Sequence, residues 1–219
     1  MLKNELLSGV TGAIFDLDGT LVDSLGIWGE IDIEFFHRHG KEVPADYQLS
    51  IAHMSFRQMA NYTKERFGFP ESVEEIEKTW VDMSEKAYAT SIKAKPYAPE
   101  FIHSLKEKGI PISLATSNQR ALYEPCLKNN GMFEDFDFFL NVNEIHSSKS
   151  EPTIYLSLAQ MMKSEPKNTL VFEDILMAVR TSHTAGFRTV GVYDAHSALD
   201  REEIEKNSDG YIRSFKELM

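Results

Sequence analysis

Residues 13–24 read AIFDLDGTLVDS, an apolar run that ends directly on two aspartates, Asp16 and Asp18, followed by Gly19 and Thr20. Two carboxylates that close repel each other and resist desolvation, so a fold that places them together holds something between them. The candidates are a metal ion, a phosphate or a proton in transit. Other apolar runs also end on polar residues: Thr116, Ser117 and Asn118 follow ISLA, and Glu173 with Asp174 follows LVF. Lys149 lies in HSSKSEP, just ahead of a helical pattern. A hard divalent cation takes oxygen ligands, and Mg²⁺ uses one or two carboxylates together with a substrate phosphate. Asp16 and Asp174 are the natural direct ligands in this set. Phosphoryl transfer to a carboxylate also needs the charge of the incoming phosphate neutralised, which Mg²⁺, Lys149 and donors at Thr116 could do together. Asp16 would then attack phosphorus, and Asp18 would act first as general acid and then as general base.

These residues converge only if particular elements position them. GAIF (12–15), PISLAT (111–116), FDFFL (136–140), TLVFE (169–173) and RTVGVY (188–193) read as strands. PEFIHSLKEKG, ALYEPCLKNNG, EPTIYLSLAQMMK and ILMAVRTSHTAG have helical spacing, and three of these four segments end on glycine as a stop signal. Strand and helix in alternation predict an α/β fold with a mostly parallel, Rossmann-like sheet and helices on both faces. In such sheets ligands lie beyond the carboxyl ends of the strands, where the polar residues above are found. Residues 24–95 contain no convincing strand. There IWGEIDIEFFHRHG is amphipathic, Pro44 opens a second helical segment, and Ser55 can cap FRQMANYTKERFG. SVEE at 72–75 is a capping box ahead of a long helix to about Ile92. The expectation is an α/β core over 1–23 and 96–219 with a helical cap domain inserted over 24–95. The joints would be DSLG going out and the proline-bearing IKAKPYAP coming back.

Composition narrows the function classes. A chain of 219 residues, 42% hydrophobic and 26% charged, can bury a sizeable core and is expected to fold. Its net charge of −11 argues against nucleic acid or an anionic membrane as the main partner and leaves small molecules. A single cysteine, Cys126, permits no internal disulfide and no cysteine zinc cluster, and reads as a packing residue. The first ten residues carry Glu5 and too short an apolar run for a signal peptide, so a cytoplasmic location is expected; a monomer is the expected oligomeric state. The seven histidines show no zinc spacing, His37 and His39 being two apart on a predicted helix, and His53 having no partner spacing either. GVTG precedes the first strand instead of following it, and no P-loop string is present.

FDLDGTLVDS, ATSN, a lysine ahead of P-x-x-Y at 149–155, and VFED followed by HTAGF occur in this order along nearly the whole chain. The sequence in this respect resembles the haloacid dehalogenase superfamily, and within it the beta-phosphoglucomutase-like branch, whose helical cap is inserted after the first motif. The resemblance implies Asp16 as nucleophile and Asp18 as acid/base. It implies Thr116 and Lys149 as holders of the transferring phosphoryl group, and Asp16, the Asp18 carbonyl, Glu173 and Asp174 around Mg²⁺. It implies phosphate chemistry over carbon–halogen cleavage, because the dehalogenase branch lacks the acid found here at Asp18. Arg57 in HMSFRQ matches a cap arginine that binds the distal phosphate or sugar of a substrate, and Ser24, Trp28, Ser117 and Asn118 join it as candidate substrate contacts.

The pattern departs from the branch in three places. Trp28 stands where the mutase proper has a histidine, and an indole cannot shuttle a proton as imidazole does. SKSEPTIY replaces the usual Gly-Lys-Pro with a following Asp, and FEDILMAV has Ile175 and Ala178 where Ser and Gly are usual. The expectation is therefore an Mg²⁺-dependent phosphatase of a small phosphorylated metabolite such as a sugar phosphate, with a sugar phosphomutase as the alternative. A phosphate-sensing protein without turnover is the alternative from another class. A receiver-like signalling domain fits poorly, since it lacks a helical insert and carries its acceptor aspartate on a later strand.

Overall fold

The structure is a computed structural model and describes residues 3–51, 54 and 56–219, so the proposed Ser55 cap and His53 lie outside the described residues. The chain forms two compact units, Met1–Leu25 with Ile92–Met219, and Gly26–Ser91.

The first unit is built on a six-stranded sheet. After a short helix α1 (Lys3–Leu7), β1 (Gly12–Phe15) runs fully buried. Helix α2 (Ile27–Arg38), α3 (Tyr47–Ile51), α4 (Phe56–Phe67) and α5 (Val73–Thr90) make up the second unit. The chain then continues through α6 (Ala98–Glu107), β2 (Ile112–Thr116), α7 (Arg120–Asn129), β3 (Phe138–Asn141), α8 (Thr153–Met161) and β4 (Thr169–Glu173). It closes with α9 (Leu176–Thr184), β5 (Arg188–Val192), α10 (Arg201–Lys206) and β6 (Gly210–Ile212). The strand order is β3-β2-β1-β4-β5-β6, and every pairing is parallel.

Strand β1 is central, with Ile14 in register with Ser113 of β2 on one side and Val171 of β4 on the other. Strands buried on both faces read as continuous apolar runs, which is why GAIF and TLVFE were legible as strands. Successive residues point to opposite faces. Ile14 therefore joins Ala115 and Val171 in a cluster with Ile154, Tyr155 and Leu158 of α8. Phe15 stacks on Phe172 with ring centroids 4.5 Å apart and meets Phe101 of α6 edge-on. Each such buried ring contributes roughly 1.5–3 kcal/mol of transfer free energy, and the two faces together fix the carboxyl end of β1. Helices α6, α7 and α9 are followed by Gly109, Gly131 and Gly186, all at positive φ.

Several boundaries differ from the sequence reading. β3 begins at Phe138 because residues 133–135 form a 3₁₀ turn and the Asp137 carboxylate accepts from the Ile112 amide, tying off the edge of the sheet before the strand starts. β5 ends at Val192 and α5 at Thr90. Strand β6 gave no sequence signal, since three residues are too short to show a period; its pairing with β5 defines it.

The two connections of the first unit to residues 26–91 pair with each other. Val22 and Ala94 form an antiparallel bridge, the Asp23 amide donates to the Lys93 carbonyl, and the Lys95 amide donates to the Leu21 carbonyl. Lys95 Nζ further donates to the Tyr193 carbonyl and, at 2.7 Å, to Asp194 Oδ2 beyond β5.

The second unit is held by aromatic packing. Phe35 meets Phe69 and Trp80 edge-on, and Phe36 meets Tyr47 and Phe67 in the same way. The capping box at the start of α5 is formed: Ser72 Oγ accepts from the Glu75 amide, and Glu75 Oε2 accepts from the Ser72 amide. No helix among the described residues is long and apolar enough to cross a membrane.

Candidate active site

Strand β1 delivers Asp16, β2 ends on Thr116, and β4 ends on Glu173 followed by Asp174. The three strands are neighbours, and their order reverses at β1, which is the crevice position for ligands in an open parallel sheet. Carboxylate oxygens of Asp16, Glu173 and Asp174 all lie within 4.8 Å of one another, and all three side chains are buried. Lys149, on the loop between β3 and α8, reaches into this cluster and donates to Asp16 Oδ1 and, at 2.8 Å, to Glu173 Oε1.

Three buried carboxylates against one ammonium leave an excess of negative charge. Burial pushes the Glu173 and Asp174 carboxyls above their ordinary range; Lys149 offsets part of this at Glu173, while Asp16 adds to it at Asp174. Burial alone would lower the Lys149 ammonium, but the charges of Asp16 and Glu173 outweigh it and hold the pKa above the usual lysine value. Lys149 is therefore a fixed cation. Two oxygens of the cluster, Glu173 Oε2 and Asp174 Oδ2, are buried without a hydrogen-bond partner among the described residues. Buried polar atoms are normally satisfied, and orphaned carboxylate oxygens within one acidic cluster fit a divalent cation. Asp16, Glu173 and Asp174 are the side chains that could hold it.

Glycine at position 19 is dictated by this cluster. Its φ is +80°, and a Cβ built there would come within 2.3 Å of Asp174 Oδ2. The loop after β1 thus packs its backbone against the metal-ligand candidate. Thr20 Oγ1 donates to Asp174 Oδ1 at 3.3 Å from the same loop.

Asp18 has different surroundings. Ser24 Oγ donates to its Oδ1 and Asn118 Nδ2 to its Oδ2, each at 2.5 Å. Asn118 is in turn placed by its own amide, which donates to Thr116 Oγ1 at 3.0 Å. Ser24 and Asn118, read from sequence as substrate contacts, are here engaged with Asp18. Ser117 is exposed beside them. Sequence reasoning missed Tyr155. Its hydroxyl, fully buried on α8, donates to Glu173 Oε1 at 2.7 Å. The Y of P-x-x-Y carried the signal, but an aromatic at helical spacing reads as core.

Trp28 and Arg57 belong to the second unit. Trp28 is half-exposed and meets Phe56 edge-on at 6.0 Å. Arg57, on α4, is paired with Glu74 and, at 2.8 Å, with Glu77, both on α5. Cys126 is buried, and burial pushes its thiol up to about 12, as suits a packing residue.

The family model for haloacid dehalogenase-like hydrolases matches residues 13–192. Among curated relatives, the chain is 28% identical over 192 residues to the bifunctional riboflavin kinase/FMN phosphatase of Arabidopsis thaliana, covering 87% of this chain and 50% of that one, so it spans half the length of that protein. It is 26% identical over 188 residues to the phosphorylated carbohydrates phosphatase of Thermotoga maritima, covering 85% and 86% of the two chains. Among solved structures, a Thermotoga maritima protein named for beta-phosphoglucomutase superposes with a TM-score of 0.82 at 23% identity, over 95% of this chain and 97% of that one, which shows a shared fold. The aspartates, lysine and acidic pair described above all fall inside the matched span, and the chain belongs to the haloacid dehalogenase-like hydrolase family.

Proposed function

We propose that the chain hydrolyses phosphate monoesters of small organic metabolites through an aspartyl-phosphate on Asp16, with Mg²⁺ bound by Asp16, Glu173, Asp174 and the Asp18 carbonyl. The observation that carries this reading is the pairing of a lysine-held carboxylate, Asp16, with two orphaned carboxylate oxygens at the same strand ends. Mg²⁺, when bound, neutralises charge on the phosphoryl oxygens so that an anionic nucleophile can approach.

The protein's own groups supply the remaining chemistry. Lys149 and the Thr116 hydroxyl hold the phosphoryl group, and Asp16 attacks phosphorus as the bond to the ester oxygen breaks. Asp18, entering protonated, gives its proton to the departing oxygen. It then takes a proton from the water that attacks phosphorus, and the bond from phosphorus to Asp16 breaks to release inorganic phosphate. Ser24 and Asn118 fix the Asp18 carboxyl in one orientation for both proton transfers. Residues 24–95 act as the cap that determines which leaving group is accepted.

Hydrolysis is favoured over isomerisation by Trp28, which offers no proton-shuttling imidazole, and by Arg57, whose charge is already engaged by Glu74 and Glu77. The test is phosphate release from a panel of sugar phosphates and an aryl phosphate, with and without Mg²⁺, beside an assay for conversion of sugar 1-phosphate to 6-phosphate. Metal-dependent release without isomerisation supports the reading. Isomerisation, or silence in both assays, overturns it.

A further inference from the structure

The Gly26–Ser91 unit contains a cavity of about 300 Å³ that the reaction above does not use. Trp28, Phe56 and Trp80 form three of its sides, Asp32 and Gln48 supply its polar groups, and aliphatic side chains complete it. The rings stand at steep angles to one another. Trp28 and Phe56 lie 6.0 Å apart at 71°, and Phe56 and Trp80 lie 5.6 Å apart at 67°.

Ordinary core packing does not account for this composition. Trp80 is 3% exposed, yet its indole Nε1 has no hydrogen-bond partner among the described residues. Asp32 is 7% exposed, and Gln48 Nε2 donates to its Oδ2 at 2.6 Å, but no cation among the described residues pairs with it. A buried carboxylate without a counter-ion is costly, and the cost is relieved by a ligand that brings one. The only formal charge among the described lining residues is thus negative, and three aromatic rings line the same cavity. That combination attracts an organic ammonium, which is drawn to aromatic faces and to the carboxylate together. It repels a second phosphate. Arg57, the cap arginine matched to a distal-phosphate ligand, is not among the lining residues and is occupied by two glutamates.

We propose that this pocket binds an organic ammonium group. The proposal does not rest on the phosphatase reading given above.

Both tryptophans of the chain line the pocket, so intrinsic tryptophan emission reports on its occupancy. The full chain is titrated with choline and with the neutral isostere in which carbon replaces the quaternary nitrogen. Choline is expected to give a saturable change at concentrations about tenfold below the isostere, in line with the cation–π and charge contributions. Asp32→Asn, checked for retained helix content, is expected to erase that preference. Equal responses to the two probes, no saturable response to choline, or a preference unchanged in Asp32→Asn overturns the proposal. The wild-type comparison needs no variant to fold.

Choline preference without nitrophenyl phosphate hydrolysis would leave the binding site standing and remove the phosphatase reading. Hydrolysis without choline preference would do the reverse.

Discussion

Asp16 and Asp18 are separated by one residue, and their hydrogen-bond partners give them different chemical characters. Asp16 is gripped by a lysine and lies close to two other carboxylates, the setting proposed for the nucleophile. Asp18 accepts from a serine hydroxyl and an amide, which hold it in one orientation, as the proposed giving and retaking of a proton requires. Substitution of Asp16 by Asn preserves shape and removes the negative charge. It is expected to lower phosphate release by at least about a thousandfold while leaving the thermal midpoint near that of the wild type, as read by steady-state assay and calorimetry. Tyr155 belongs to the same scale. Its hydroxyl shares Glu173 Oε1 with Lys149, leaving Oε2 as the oxygen without a partner. Tyr155→Phe keeps the ring in the core and frees Glu173 to rotate. Titration calorimetry should show Mg²⁺ binding weakened roughly tenfold, the usual scale for partners of metal ligands; unchanged affinity would remove the positioning role.

At the scale of elements, the paired connections Leu21–Asp23 and Lys93–Lys95 are anchored by Lys95, which ties them to Tyr193 and Asp194 after β5. Burial alone would raise the Asp194 carboxyl, but its bonds to Lys95 and His196 hold it below the ordinary range. Lys95→Met leaves that buried carboxylate with its His196 contacts only, and urea denaturation should show a loss of about 3 kcal/mol. Helix α2 contributes the opposite case. Burial pushes the Asp32 carboxyl up to about 6, with Gln48 opposing. Between about pH 4 and pH 6 the folded unit keeps a proton that the unfolded chain has released, so this group's contribution to stability falls as pH rises. The neighbouring Tyr47 hydroxyl, raised by its own burial, stays protonated throughout. The stability of Asp32→Asn relative to wild type should therefore grow by about 3 kcal/mol from pH 4 to pH 7, measured by urea titration at each pH. A difference independent of pH would contradict the assignment.

For the whole molecule, what the sequence revealed depended on how local its cause was. GAIF and TLVFE were readable because central parallel strands are apolar throughout, and SVEE because a capping box is closed by residues three apart. Strand β6 was not, since its identity comes from register with Val190–Val192. The site divides in the same way. Asp16, Thr116, Glu173 and Asp174 were legible as polar residues at the ends of apolar runs. The attachment of Asn118 to Asp18, and of Tyr155 to Glu173, was not, because partners 100 and 18 residues apart meet only through the sheet. The cap pocket was hidden for a similar reason: Trp28, Phe56 and Trp80 come from three helices and read separately as packing. The net charge of −11 gave no hint that a lysine is buried among the carboxylates at the strand ends.

The central claim is a covalent phosphoryl group on Asp16. The most direct measurement is rapid acid quench of the full chain during turnover of para-nitrophenyl phosphate with Mg²⁺, followed by peptide mass spectrometry. A phosphoryl adduct on Asp16 is expected that disappears with the substrate and is absent when Mg²⁺ is chelated. Turnover that persists in Asp16→Asn, or an adduct carried by another residue, would contradict it.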